Sequence, residues 1–143
     1  MKKTTATVAA MASKLYTLAL ARQQKSIAPD IEQAIQALVT LVGYGHGWIT
    51  AYREVESQSL VSAVLVLEAK GVANMILNLV SPKWRSLGLL SHTTDQCIHE
   101  AKNRECHTFD FNGANSPLRG DDKHSYGAAP VLFFNLRYVE TLR

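Results

Sequence analysis

Apolar residues recur along this chain at two spacings, and the change between them divides it. From about Thr5 to Gln24, Val8, Met11, Leu15, Leu18 and Arg22 fall at three- and four-residue steps, which gives a helix one face that is apolar up to Arg22. Ser26 to Pro29 interrupts the pattern. Pro29 suits the first turn of a second helix, and Asp30 and Glu32 complement its N-terminal dipole. That helix presents Ile31, Ile35, Leu38, Val39 and Val42 on one side and stops at the glycines of GYGHG. Beyond them the spacing becomes that of strands. Trp48 to Glu54, Leu60 to Glu68 and Val72 to Val80 are the three candidates, with turns at Glu56 to Ser59 and at Ala69-Lys70-Gly71. The second and third runs are almost continuously apolar, which predicts an antiparallel meander whose inner strands are covered on both faces.

Ser81-Pro82 ends the third strand. A helix is expected from about Ser86 to Glu105, with Leu87, Leu90, Thr94, Ile98 and Ala101 inward, followed by a strand from Cys106 to Phe111. Asn115 to Tyr126 reads as a loop or short helix, and Pro130 to Val139 as the last strand. The order is ααβββαβ(α)β. A helix between the third and fourth strands calls for a parallel crossover, so the sheet is expected to be mixed but mostly antiparallel, flanked by helices, in an α/β (α+β) fold. Residues 1–143 are expected to form a single domain, with two helices in 1–44 and a sheet core in 47–140.

Composition narrows the function classes. With 143 residues, 47% hydrophobic and 19% charged, the chain can bury a proper core. The formal charge of +3 comes from lysines and arginines spread along the sequence, so no nucleic-acid footprint is drawn; an anionic small ligand or carrier fits the balance. Cys97 and Cys106 are too few for a disulfide framework and read as free thiols of a reducing cytoplasm. The start, MKKTTATVAAMASKLYTLALARQ, has lysines before small and apolar residues, but Ser13 and Lys14 break the run and it continues into the first helix pattern. It is expected to be a structural helix, with a cleaved secretory leader as the alternative reading. No apolar run reaches the length of a membrane span.

The chemistry concentrates in two places. Arg85-Ser86-Leu87-Gly88 opens the long helix, where unpaired N–H groups and the positive dipole end attract phosphate; Ser86 reads equally as a simple helix cap. The second place is HTFDFNGANSPLRGDDKHSYGAAPVLFFNL, from His107 to Leu136. In it Asp110 and Asn112 alternate with Phe109 and Phe111, so each pair shares one face. Asp110 is a candidate to orient an amine or act as base, or else to anchor the loop through backbone amides. Lys123 and Tyr126 follow in the loop, and Lys123 could instead pair with Asp121 or Asp122. Among the five histidines, His92 and His99 stand two helical turns apart, and no metal-ligand spacing appears.

This order, with LVSAVLVLEAKGVANMILNLVSP, the RSLG segment before a long helix and TFDFNGANSP…KHSYGA, resembles the FemAB-like branch of the GNAT acyl-CoA N-acyltransferase superfamily. The resemblance covers about residues 47 to 140. Where the family's phosphate loop ends Gly-x-Gly or Gly-x-Ala, this chain has Leu89 and Leu90 after Gly88. The resemblance implies a GNAT-like fold and transfer of an acyl or aminoacyl group to an amine. The donor would be acyl-CoA, another acyl carrier or aminoacyl-tRNA, gripped through Arg85, Ser86 and Gly88. It implies a place near the donor for Lys123, and for Tyr126 either packing or protonation of a leaving thiolate. The alternative is a non-catalytic binding or assembly module, paired as a homodimer through an apolar edge such as VLFFNL.

Overall fold

The computed structural model describes residues 29–112, 123 and 125–131. The chain divides into two compact units, one ending at Asn112 and the other beginning at Gly113. The expected first helix, most of the loop after Gly113 and the last strand from Leu132 onward lie outside the described residues.

In the first unit, helix α1 (Pro29–Gly43) precedes strands β1 (Gly47–Arg53), β2 (Leu60–Ala69) and β3 (Val72–Val80). A 3-10 turn, Pro82–Leu87, leads into helix α2 (Leu89–Asn103), and β4 (Thr108–Asp110) follows. The sheet order is β1-β2-β3-β4, with the first three strands antiparallel and β4 parallel to β3, the mixed sheet that the pattern predicts. Lys70 and Gly71 link β2 and β3 with positive φ of 51° and 73°, the two-residue turn whose twist matches the strands it joins.

Among the described residues each face of the sheet carries one helix, for reasons visible in the strand alternation. Leu65 and Leu79 meet Ile35 and Val39 of α1, and Ile31, Leu38 and Val42 close around them as the helical spacing requires. Val64, Val66, Ala73 and Met75 point the other way and pack with Cys97 and Ala101 of α2. Full burial of a residue such as Val39 or Val64 contributes roughly 1.5–3 kcal/mol, so the two clusters hold the three layers together.

Three boundaries differ from expectation. The helix predicted from Ser86 is broken at Gly88, whose φ of 70° ends the 3-10 turn and caps α2, so Leu87 is 69% exposed rather than inward. The strand expected from Cys106 to Phe111 pairs over three residues only. In β3, Leu77 opposes Leu65 and Met75 opposes Val66, which leaves Ile76 as a bulge; Ile76 and Leu77 therefore both face α1.

Gly47 shows how tightly β1 lies on β2. Its φ is 154°, and a Cβ there would fall onto the Val66 carbonyl oxygen. Gly47→Ala is expected to cost about 3 kcal/mol, through clash and backbone strain together, read as a fall in the urea midpoint at unchanged slope.

Candidate active site

The site is built where β3 hands the chain to α2. Ser81, in extended backbone, receives Trp84 N–H on its carbonyl at 2.9 Å, and the 3-10 turn delivers Arg85 and Ser86 to the surface. Gly88 then enters the left-handed region with open space where a side chain would stand. Its carbonyl accepts His92 N–H at 3.0 Å, the first hydrogen bond of α2. The amides of Leu89 and Leu90 precede any helical acceptor, as at every helix start. No acidic residue lies in this first turn to offset the positive dipole end, and Arg85 adds a charge of the same sign. Ser86 makes no capping bond; Gly88 holds the cap position.

A buried polar seam fixes this helix end to the sheet. Thr93 Oγ1 donates to the Leu89 carbonyl at 2.7 Å and lies 2.8 Å from Ser62 Oγ of β2. With the threonine proton spent on Leu89, the single Ser62 proton serves Thr93, and the 3.2 Å approach to the Leu79 carbonyl is its weaker option. One residue on, Thr94 Oγ1 donates to the Leu90 carbonyl at 2.9 Å and accepts from Asn78 Nδ2 of β3 at 3.3 Å. Both hydroxyls thus close on the first turn of α2 while gripping different strands. On the outer side, Tyr52 of β1 places its hydroxyl 2.9 Å from His92 Nε2. Below the 3-10 turn, Lys83 pairs with Glu54 at 3.2 Å. The Ser57 hydroxyl and then Lys83 hold the Glu54 carboxyl below the usual glutamate value.

Asp110 ends β4, opposite Asn74 of β3. Phe109 and Phe111 turn toward the α2 side, 5.1 Å apart and edge-on, and Asp110 and Asn112 are exposed on the other face, as the alternation predicts. The Asp110 carboxylate accepts Asn112 N–H at 2.8 Å, and Asn112 has a positive φ of 50°. β3 continues six residues past this last pair, about 20 Å of strand, without a ladder partner on that edge among the described residues. The first unit thus brings together Arg85, Ser86 and Gly88, with Asp110 at the other end of the open edge. Lys123 and Tyr126 belong to the second unit, where the Lys123 carbonyl accepts Tyr126 N–H at 3.1 Å and Gly127 turns at φ 76°.

Sequence reasoning missed Ser62, Thr93, Asn78, Tyr52 and His92 as parts of this junction. The one signal was the adjacent pair Thr93-Thr94 on an otherwise inward helix face. Cys97 carries no nucleophilic role: it is fully buried, and desolvation pushes its thiol up. Among the described residues no cluster of His, Cys, Asp or Glu forms a metal site, and no helix is long and apolar enough to cross a membrane.

Residues 1–124 match the family described as Acetyltransferase (GNAT) domain. The chain belongs to the GNAT acetyltransferase family. It is a transferase of the N-acetyltransferase type. No curated protein matches the chain. Solved structures share the fold at low identity. A predicted acetyltransferase of Clostridium acetobutylicum, solved with acetyl-CoA, has a TM-score of 0.67 at 12% identity, over 92% of this chain and 88% of its own. Glucosamine-6-phosphate N-acetyltransferase from Arabidopsis thaliana has a TM-score of 0.63 at 13% identity, covering 90% and 92%. Ribosomal-protein-alanine N-acetyltransferase from Brucella melitensis has a TM-score of 0.63 at 18% identity, covering 91% and 93%.

Thr93→Val is expected to cost about 1–2 kcal/mol by removing the bonds to Leu89 and Ser62. Combined with Ser62→Ala it should cost less than the two single changes summed, a coupling that a double-mutant cycle in urea measures.

Proposed function

We propose that this GNAT domain transfers an acyl group from acyl-CoA to an amine, with the donor lying along the open edge of β3. The observation that carries the reading is the junction itself. A helix N-terminus with no acid in its first turn, carrying Arg85 and Gly88, stands at one end of a strand whose parallel ladder stops after three pairs among the described residues. The donor's diphosphate would take the first-turn amides and Arg85. Its arm would run beside β3 and bond the strand's free backbone groups, as an added strand does. The thioester would then lie toward the Ile76 bulge and the Asn74–Asp110 pair. The acetyl-CoA bound to the Clostridium acetobutylicum protein of the same fold supports CoA as the carrier.

In this reading the neutral amine attacks the thioester carbonyl, and backbone donors polarise the oxygen. The carbon–sulfur bond breaks as the carbon–nitrogen bond is made. The amine loses one proton and the thiolate takes one, giving amide and thiol. Lys123 would supply a cation to the developing oxyanion or to phosphate, Tyr126 a proton for the thiolate, and Asp110 an acceptor that orients the amine. The FemAB-like branch is the finer assignment, supported by the FDFNG and KHSYGA segments. Aminoacyl transfer belongs to that finer reading.

Calorimetric titration with CoA is expected to give saturable binding, weakened about tenfold in Arg85→Ala through loss of a charged phosphate partner. Absence of heat at about 1 mM CoA would remove acyl-CoA as the donor. With acetyl-CoA and a panel of primary amines, Lys123→Met is expected to lower thiol release about a hundredfold. An unchanged rate would take Lys123 out of the chemistry.

A further inference from the structure

His92 is the fourth residue of α2, and its side chain has no part in the donor contacts proposed so far. Helical side chains lean toward the N-terminus of their helix, over the preceding turn. The imidazole of His92 therefore lies over the turn that begins at Gly88. Tyr52, reaching across from β1, holds it there, with the hydroxyl 2.9 Å from Nε2 and the two rings 5.3 Å apart at 52°.

That contact survives a change of protonation. A neutral ring with its proton on Nδ1 accepts the Tyr52 O–H at Nε2; an imidazolium instead donates Nε2–H to the phenol oxygen. The orientation is kept in both states and only the charge changes. The surrounding charges leave the ring without a carboxylate partner among the described residues. Asp95, on the next turn of α2, faces His99 at 3.5 Å. Glu54 is paired with Lys83, and Arg53 of β1 donates to the Gln58 carbonyl at 3.3 Å. Arg85 is the other positive charge at this helix end. A phosphate seated at the first turn would bring negative charge up to this ring, beside Arg85 and the helix N-terminus.

We propose that His92, oriented by Tyr52, is a further donor-binding residue whose imidazolium contacts a phosphate of the donor, so that donor binding takes up a proton. The proposal rests on the reading of the α2 N-terminus as the donor's phosphate site. By linkage, whatever factor the bound donor adds to proton affinity, the proton adds to donor affinity.

The test is titration with CoA at several pH values in two buffers of different ionisation heat, on the wild type, His92→Gln and Tyr52→Phe. CoA has titrating phosphates of its own, so the informative quantity is the difference between wild type and variant. Near pH 6 the wild type is expected to bind about fivefold more tightly than His92→Gln, with the gap closing by about pH 8. The proton uptake of the wild type should be absent in His92→Gln and reduced in Tyr52→Phe. His92 is exposed, so its variant should keep the wild-type unfolding midpoint. If CoA binds and all three proteins share one affinity and one proton count, His92 has no such role while the donor reading stands. If the wild type binds no CoA at any pH, both fall.

Discussion

The hydrogen-bonded seam between α2 and the sheet is the constraint on which the rest of the site depends. Hydrophobic packing holds α2 against β2 and β3 through Cys97, Ala101, Val64 and Met75, but such contacts are non-directional and tolerate sliding. The Ser62–Thr93 and Asn78–Thr94 bonds do not, because a slip of one residue would break both side-chain bonds between helix and strands. They act on the first turn, where the Leu89 and Leu90 carbonyls are bound. The position of the α2 N-terminus relative to β3 is therefore set to within hydrogen-bond tolerance. For the acyl transfer proposed above, which holds two substrates in register, that tolerance matters more than any single reactive side chain.

A second constraint is the early end of the β3–β4 ladder. A parallel pair normally continues as far as both strands last, yet β4 leaves after three residues, with Asp110 capping the Asn112 turn. Past that point β3 has no ladder partner on this edge among the described residues, and its backbone groups stand in a fixed row. The bulge at Ile76 lies close to where the ladder ends, and bulges both redirect side chains and end pairing. Helix end and bulge are features of the backbone, and the fold they belong to is shared with solved structures at 12 to 18% identity.

Much of this was legible in the residues. The periodicity of Ile31, Ile35 and Val39 located α1, and the apolar runs of β2 and β3 predicted a sheet covered on both sides. The helix between Val80 and Thr108 predicted the parallel pairing of β4. The resemblance led to the GNAT superfamily, which the family match bears out. Other features were not legible for identifiable reasons. Apolar residues at 75, 76 and 77 read as an unbroken strand, because a bulge leaves no mark on hydrophobicity. The break at Gly88 was hidden because Ser86 and Leu87 suit a helix as well as the 3-10 turn they occupy. Ser62 sits in an apolar strand like a tolerated small residue, and only the approach of Thr93 shows what its hydroxyl does.

What the sequence determined by itself is local: periods of 3.6 and 2, the Lys70-Gly71 turn, and the proline and glycine positions that stop elements, all of which act over a few neighbouring residues. What only the tertiary structure decided is which polar groups meet. Tyr52 and His92 are forty residues apart, and Ser62 and Thr93 thirty-one. A hydrogen bond needs its atoms within about 3 Å. Nothing in the spacing of two residues along the chain reports that distance until sheet register and helix docking bring them together.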